Sequence, residues 1–90
     1  MKRLLWQGEA RADLSKIVDH FSDKDARVAE MLLDRIQRAA RALAKADTGR
    51  PGRMPNLREK SVARTSYILA YRVMEKQVDA GGLAKGLAAG

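Results

Sequence analysis

Ninety residues suffice for one small domain, which buries only roughly 60% of the surface its unfolded chain exposes, so a stabilising partner is expected. Apolar residues make up 46% and charged residues 32%, too apolar for a disordered chain, although alanine supplies much of the total and the core is expected to be thin. The lack of cysteine removes disulfides and thiolate zinc sites, and the net charge of +7 points to an acidic partner or a nucleic-acid backbone.

The first predicted element is a strand, Arg3-Leu4-Leu5-Trp6, broken by Gly8. Its apolar run of three residues is too short for a signal peptide or a membrane span, so a soluble, cytoplasmic protein is expected. From Glu9 to Phe21 the apolar positions Ala10, Leu14, Ile17 and Phe21 fall on one helix face, with Glu9 at the positive end of the helix dipole. Ser22-Asp23-Lys24-Asp25 is a polar link in which Ser22, Asp23 or Asp25 can cap the next helix. That helix gathers Val28, Ala29, Leu32, Leu33, Ile36, Ala40 and Leu43 on one side. Arg27, Glu30, Asp34, Arg35, Arg38, Arg41 and Lys45 lie on the other, and its basic C-terminal end suits the dipole. Asp34 and Arg38 form a favourable i,i+4 pair, and Gly49 and Pro51 are expected to end the helix.

Two amphipathic helices joined by a tight link form a hairpin whose apolar side needs a cover. Strands supply it: Leu57 to Val62, then Tyr67 to Met74, across a turn at Ala63-Arg64-Thr65-Ser66. Tyr67, Leu69, Tyr71 and Val73 alternate with Ile68, Ala70, Arg72 and Met74. Glu75-Lys76-Gln77 reads as a hairpin turn returning through Val78. The order β-α-α-β-β, with a short further strand, predicts an α+β fold with a helical hairpin on one face of a small antiparallel sheet. A single domain over residues 1–79 is expected. Residues 80–90, rich in Gly and Ala and without a β-branched or aromatic side chain, are expected to form a mobile tail.

Charge is uneven along the chain. Residues 1–49 carry ten Lys/Arg against eight Asp/Glu, whereas residues 50–76 carry seven against two. The excess therefore sits on the central loop and strands.

The ordered set Ala10-Arg11-Ala12-Asp13-Leu14 with Ile17, a second helix through Leu43, Gly49-Arg50-Pro51-Gly52-Arg53, Arg58-Glu59 and Tyr67-Ile68-Leu69-Ala70-Tyr71-Arg72-Val73 resembles the ParE/RelE superfamily of bacterial type II toxin–antitoxin toxins. The resemblance spans about residues 3–79. It implies a growth-inhibiting, plasmid-stabilising toxin neutralised by a cognate ParD/RelB-like antitoxin whose acidic or amphipathic segment wraps it. It also implies one of two targets: DNA gyrase, poisoned by contact without a catalytic site, or the ribosome, where mRNA is cut. Members usually carry a further apolar strand after the position of Val78, where this chain has its Gly/Ala run.

Cleaving RNA needs a base, an acid and cations for the phosphorane. The candidates are Arg58, Glu59, Arg72 and Tyr67. Ile68, however, stands where the nuclease branch commonly carries an arginine. A gyrase-directed toxin of the ParE kind is the leading expectation, with a ribosome-dependent endonuclease and an inactive relic as alternatives. Arg50, Arg53, Arg58, Lys60, Arg64 and Trp6 are the candidate residues for binding target or antitoxin. Tyr67 and Tyr71 share a strand face and suit core packing with wet hydroxyls. The lone histidine, His20, makes no metal site, and no cofactor is expected.

Overall fold

The computed structural model describes residues 1–86. Its elements run β1 (Arg3–Trp6), α1 (Gly8–Ser22), α2 (Ala26–Lys45), β2 (Arg50–Pro51), β3 (Arg58–Ser61), β4 (Tyr67–Val73) and β5 (Gln77–Lys85). The helices form the expected hairpin. Asp25 is the residue that caps α2, its Oδ1 accepting the Arg27 N–H at 2.9 Å. Asp34 and Arg38 make the expected ion pair at 2.9 Å. Ala10 and Ile17 of α1 are buried, as are Ala29, Leu32, Ile36, Ala40, Leu43 and Ala44 of α2.

The five strands form one sheet in the order β1-β5-β4-β3-β2. Three of the neighbouring pairs are antiparallel, but β1 lies parallel to β5, with Leu4 opposite Val78 and Trp6 opposite Ala80. The sheet is therefore mixed: the helical hairpin and then the antiparallel run β2-β3-β4 bring the chain into β5 in the direction of β1. Tyr67, Leu69 and Tyr71 of β4 and Val78 and Ala80 of β5 face the helices, where they join Ile36, Leu43 and Val62 in one core. Among the described residues, the opposite face of the sheet carries no helix.

Two expectations are corrected. The stretch from Ala80 to Lys85 is strand and not tail: β5 pairs with β4 as far as Lys85 opposite Tyr67. Residues 80–86 thus belong to the domain, while residues 87–90 of the expected tail lie outside the described residues. Small side chains are tolerated because β5 is an interior strand, bonded on both sides for part of its length, with a bulge between the Ala70 and Tyr71 pairs. The second correction concerns α2, which ends at Lys45 and not at Gly49. Ala46 turns to extended backbone, and the Lys2 N–H caps the Ala44 carbonyl at 2.9 Å.

Candidate functional site

The loop from α2 to β2 is tied to the sheet by a polar buckle. Tyr71 Oη donates to Asp47 Oδ1 at 2.5 Å, and Arg58 Nε donates to the same oxygen at 2.9 Å. Arg58 Nη2 donates to the Gly49 carbonyl at 2.7 Å. Arg58 and Tyr71 are register partners on β3 and β4, so both side chains leave the sheet on the helix side. The Tyr71 hydrogen bond, helped by Arg58, holds the Asp47 carboxyl below the usual carboxylate range. Burial, together with the hydrogen bond to Asp47, pushes the Tyr71 phenol up. Tyr71 and Asp47 favour the charged form of Arg58 still further. Gly49 fits only without a side chain, since a Cβ there would lie 2.0 Å from Tyr71 Oη and 2.6 Å from the Glu59 carbonyl oxygen. The Tyr71 hydroxyl is consequently not wet, and its proton is already committed to Asp47.

The four candidates for RNA chemistry do not share a site. Arg58 and Tyr67 lie on the helix-facing side of the sheet, with Tyr67 buried in the core. Glu59 and Arg72 alternate with Arg58 and Tyr71 and so emerge on the open side. The candidate binding residues are dispersed as well. Trp6 is half-buried on β1 at one edge of the sheet, while Arg50 is exposed on β2 at the other. Arg53 is exposed in the loop between β2 and β3, and Lys60 is half-buried on the helix-facing side of β3. Arg64 occupies the β3–β4 turn with a left-handed φ of 63°, its carbonyl accepting from Arg35 Nη1 at 3.0 Å.

Besides a groove of about 670 Å³ along the β2–β3 loop, where Arg53, Arg58 and Arg72 share the lining, two open grooves remain. The first, about 510 Å³, runs between β1 and the C-terminal half of α2. Met1, Leu4, Ala42 and Ala44 give it an apolar floor, and Lys2, Arg38, Arg41 and Lys45 surround it with no carboxylate in its lining. The second, about 600 Å³, lies on the open face of the sheet between the start of α1 and the β2–β3 loop, over Ile68 and Ala70. Its charged groups are Glu9, Asp13, Glu59, Asp79 and Arg72. Sequence reasoning missed both. The basic groove was foreshadowed by Arg38, Arg41 and Lys45 at spacings of three and four, a pattern the helix dipole explains equally well.

A helical hairpin on one face of a five-stranded sheet, with β1 parallel to β5, is the fold of the RelE/ParE toxins. In a chromosomal ParDE toxin–antitoxin system from P. aeruginosa, a chain 24% identical to this one superposes with a TM-score of 0.87, over 97% of this chain and 98% of that one. The isolated RelE toxin of E. coli, 18% identical, covers 99% of this chain and 88% of its own with a TM-score of 0.60. At these identities the likeness is one of fold. No curated protein matches in sequence. The family model of the ParE toxin of the type II toxin–antitoxin system parDE matches residues 4–81, and the chain belongs to that family. The match reaches the middle of β5, and the Gly/Ala run from Ala80 to Lys85 is itself the further strand. Among the described residues no helix is long and apolar enough to cross a membrane.

Proposed function

We propose that this toxin acts in the cytoplasm by protein–protein contact on DNA gyrase, without a catalytic step of its own, and that an antitoxin encoded beside it holds it inactive. The observation that carries this reading is the division of the candidate catalytic set between the two faces of the sheet. Arg58 is spent on Asp47 and Gly49, and Tyr67 is buried, so Glu59 and Arg72 are left without the general acid that phosphorane chemistry requires. The antitoxin half of the reading is supported by the basic groove beside α2. Four cations around an apolar floor suit an amphipathic segment with acidic side chains along its flanks.

The test is expression in bacteria with parallel measurement of gyrase-dependent DNA breaks and of translation. Growth arrest with DNA breaks, relieved by co-expressing the neighbouring antitoxin gene, is expected. Translation-coupled mRNA cleavage that disappears in Arg72→Ala or Glu59→Gln would replace the gyrase reading with a ribosomal one. Arg58→Ala is unsuited to this purpose, because it also opens the buckle at Asp47.

A further inference from the structure

We infer that the open face of the sheet seats a second segment of the antitoxin, and that this segment is cationic, with small residues against the sheet and Lys or Arg at its flanks. The inference rests on the antitoxin reading above and adds a second surface, of opposite charge to the first.

Charge supplies the first argument. The chain carries +7 overall, yet the groove on the open face gathers four carboxylates, Glu9, Asp13, Glu59 and Asp79, against the single guanidinium of Arg72. Among the described residues the ion pairs are Arg27–Asp25, Arg38–Asp34 and Arg58–Asp47, so no two of these five groups are in direct contact, and only Asp79 has the guanidinium of Arg72 opposite it across the strands. The Asp13 side chain accepts the Leu83 N–H and the Asp79 side chain the Gln77 amide among the described residues. The carboxylates ring the groove without converging into a group that would hold a metal ion. An acidic trough on a basic protein repels phosphate backbones and selects a cationic peptide.

The floor supplies the second. It is built from Ile68, Ala70, Gly81, Gly82 and Ala84. Glycine is sterically demanded at Gly49 and Gly52, where a Cβ would come within 2.6 and 2.8 Å of backbone oxygens. At Gly81 and Gly82 the nearest atoms would be 3.6 and 3.4 Å away, and neither has a positive φ. The fold therefore tolerates a side chain at both, and their smallness leaves the floor low enough for another backbone to approach. Continuity supplies the third. Leu4 of β1 borders the basic groove and Gln7, just past the end of that strand, the acidic one, three positions further along the chain, or about 10 Å. One partner chain can pass over the β1 edge and fill both.

The test titrates the full, isotope-labelled chain with two synthetic peptides of equal length, one alternating alanine with lysine, the other alanine with glutamate. The lysine peptide is expected to move the amide signals of Glu59, Ala70, Gly82 and Ala84. Gly82→Val and the double variant Glu59→Gln/Asp79→Asn are each expected to weaken it about tenfold without lowering the unfolding midpoint. Binding of the glutamate peptide to the same amides, lysine-peptide shifts confined to other surfaces, or concentration-dependent shifts of these amides with no peptide present, which would make a second copy the occupant, each overturn the inference. The antitoxin reading fails on a different measurement. If the neighbouring gene relieves growth arrest but its product binds Gly82→Val as tightly as the parent, only the groove inference falls. If no neighbouring product relieves the arrest, the antitoxin is removed as the occupant, whatever the peptides do.

Discussion

Tyr71, fully buried in the middle of β4, donates its phenolic hydrogen to Asp47, a residue 24 positions earlier in the loop that leaves α2. This one bond fixes where the helical layer hands the chain to the sheet, and Arg58 reinforces it from β3. Tyr71→Phe keeps the ring in the core and leaves the Asp47 carboxylate with Arg58 and water. A loss of about 1–2 kcal/mol is expected, read in thermal unfolding as a drop of roughly 5–10 °C. Asp47→Ala should cost more, since it strands a buried hydroxyl and frees the guanidinium of Arg58. A neutral result for Asp47→Ala would mean that the loop is held by something else.

The same cluster predicts a pH window for stability. The folded pKa of Asp47 is depressed, so its contribution is present above the unfolded carboxylate range near 4 and is lost as pH falls through the folded value. The folded pKa of Tyr71 is raised, so its contribution is full below the unfolded value near 10 and declines as pH rises toward the folded value. Urea midpoints measured across pH should show a plateau with a fall at each end. Tyr71→Phe should flatten the alkaline fall and shrink the acid one, and Asp47→Asn should shrink the acid fall. An unaltered acid limb in Asp47→Asn would assign acid unfolding to other carboxylates.

How much of this could be read in advance depends on how local the cause was. The helices follow from the spacings of Ala10, Leu14, Ile17 and Phe21 and of Leu32, Ile36, Ala40 and Leu43, because a helix's buried face is written within its own residues. The alternation of Tyr67, Leu69 and Tyr71 likewise marks β4 and its two faces. The parallel pairing of β1 with β5 is written in neither strand: it depends on where two helices deliver the chain. Ala80 to Lys85 carries no intrinsic strand signal, and its extended form is imposed by β4 on one side and, at Ala80, by β1 on the other. Asp47 gave no sign of its role, being one polar residue among several past the end of a helix. Arg58 and Glu59 stand out in the sequence as charged strand residues, but adjacent positions on a strand point to opposite faces, which divides them between the buckle and the groove.

A pair of glycine substitutions separates packing from flexibility. Gly49→Ala places a methyl where Tyr71 Oη and the Glu59 carbonyl already sit, so one of them has to move, at a cost of about 1–3 kcal/mol. Gly8, the first residue of α1, has nothing within 4 Å of an added Cβ. Gly8→Ala should therefore be neutral, or stabilising by up to about 1 kcal/mol through a stiffer unfolded chain and better helix propensity. Chemical unfolding of the two variants side by side decides the matter, and equal effects would contradict the packing described around Gly49.

The two-residue period of β5 beyond Asp79 predicts opposite outcomes for substitutions on its two faces. Ala80 is fully buried against the helices, whereas Ala84, on the groove side opposite Ile68, is exposed. In a mobile tail an aspartate at either position would meet only water, and the two variants would behave alike. In a strand, Ala80→Asp drives an unpaired carboxylate into the core beside Tyr71, its register partner, and should cost more than about 3 kcal/mol, enough to leave a domain of this size largely unfolded. Ala84→Asp should stay within about 0.5 kcal/mol of the parent. Far-ultraviolet circular dichroism with urea melts distinguishes the outcomes, and hydrogen exchange at Leu83 adds an independent readout, since its N–H is held by Asp13 of α1 at 3.1 Å. Rapid exchange there, together with indifference to Ala80→Asp, would return residues 80–85 to coil and take the floor of the acidic groove with them.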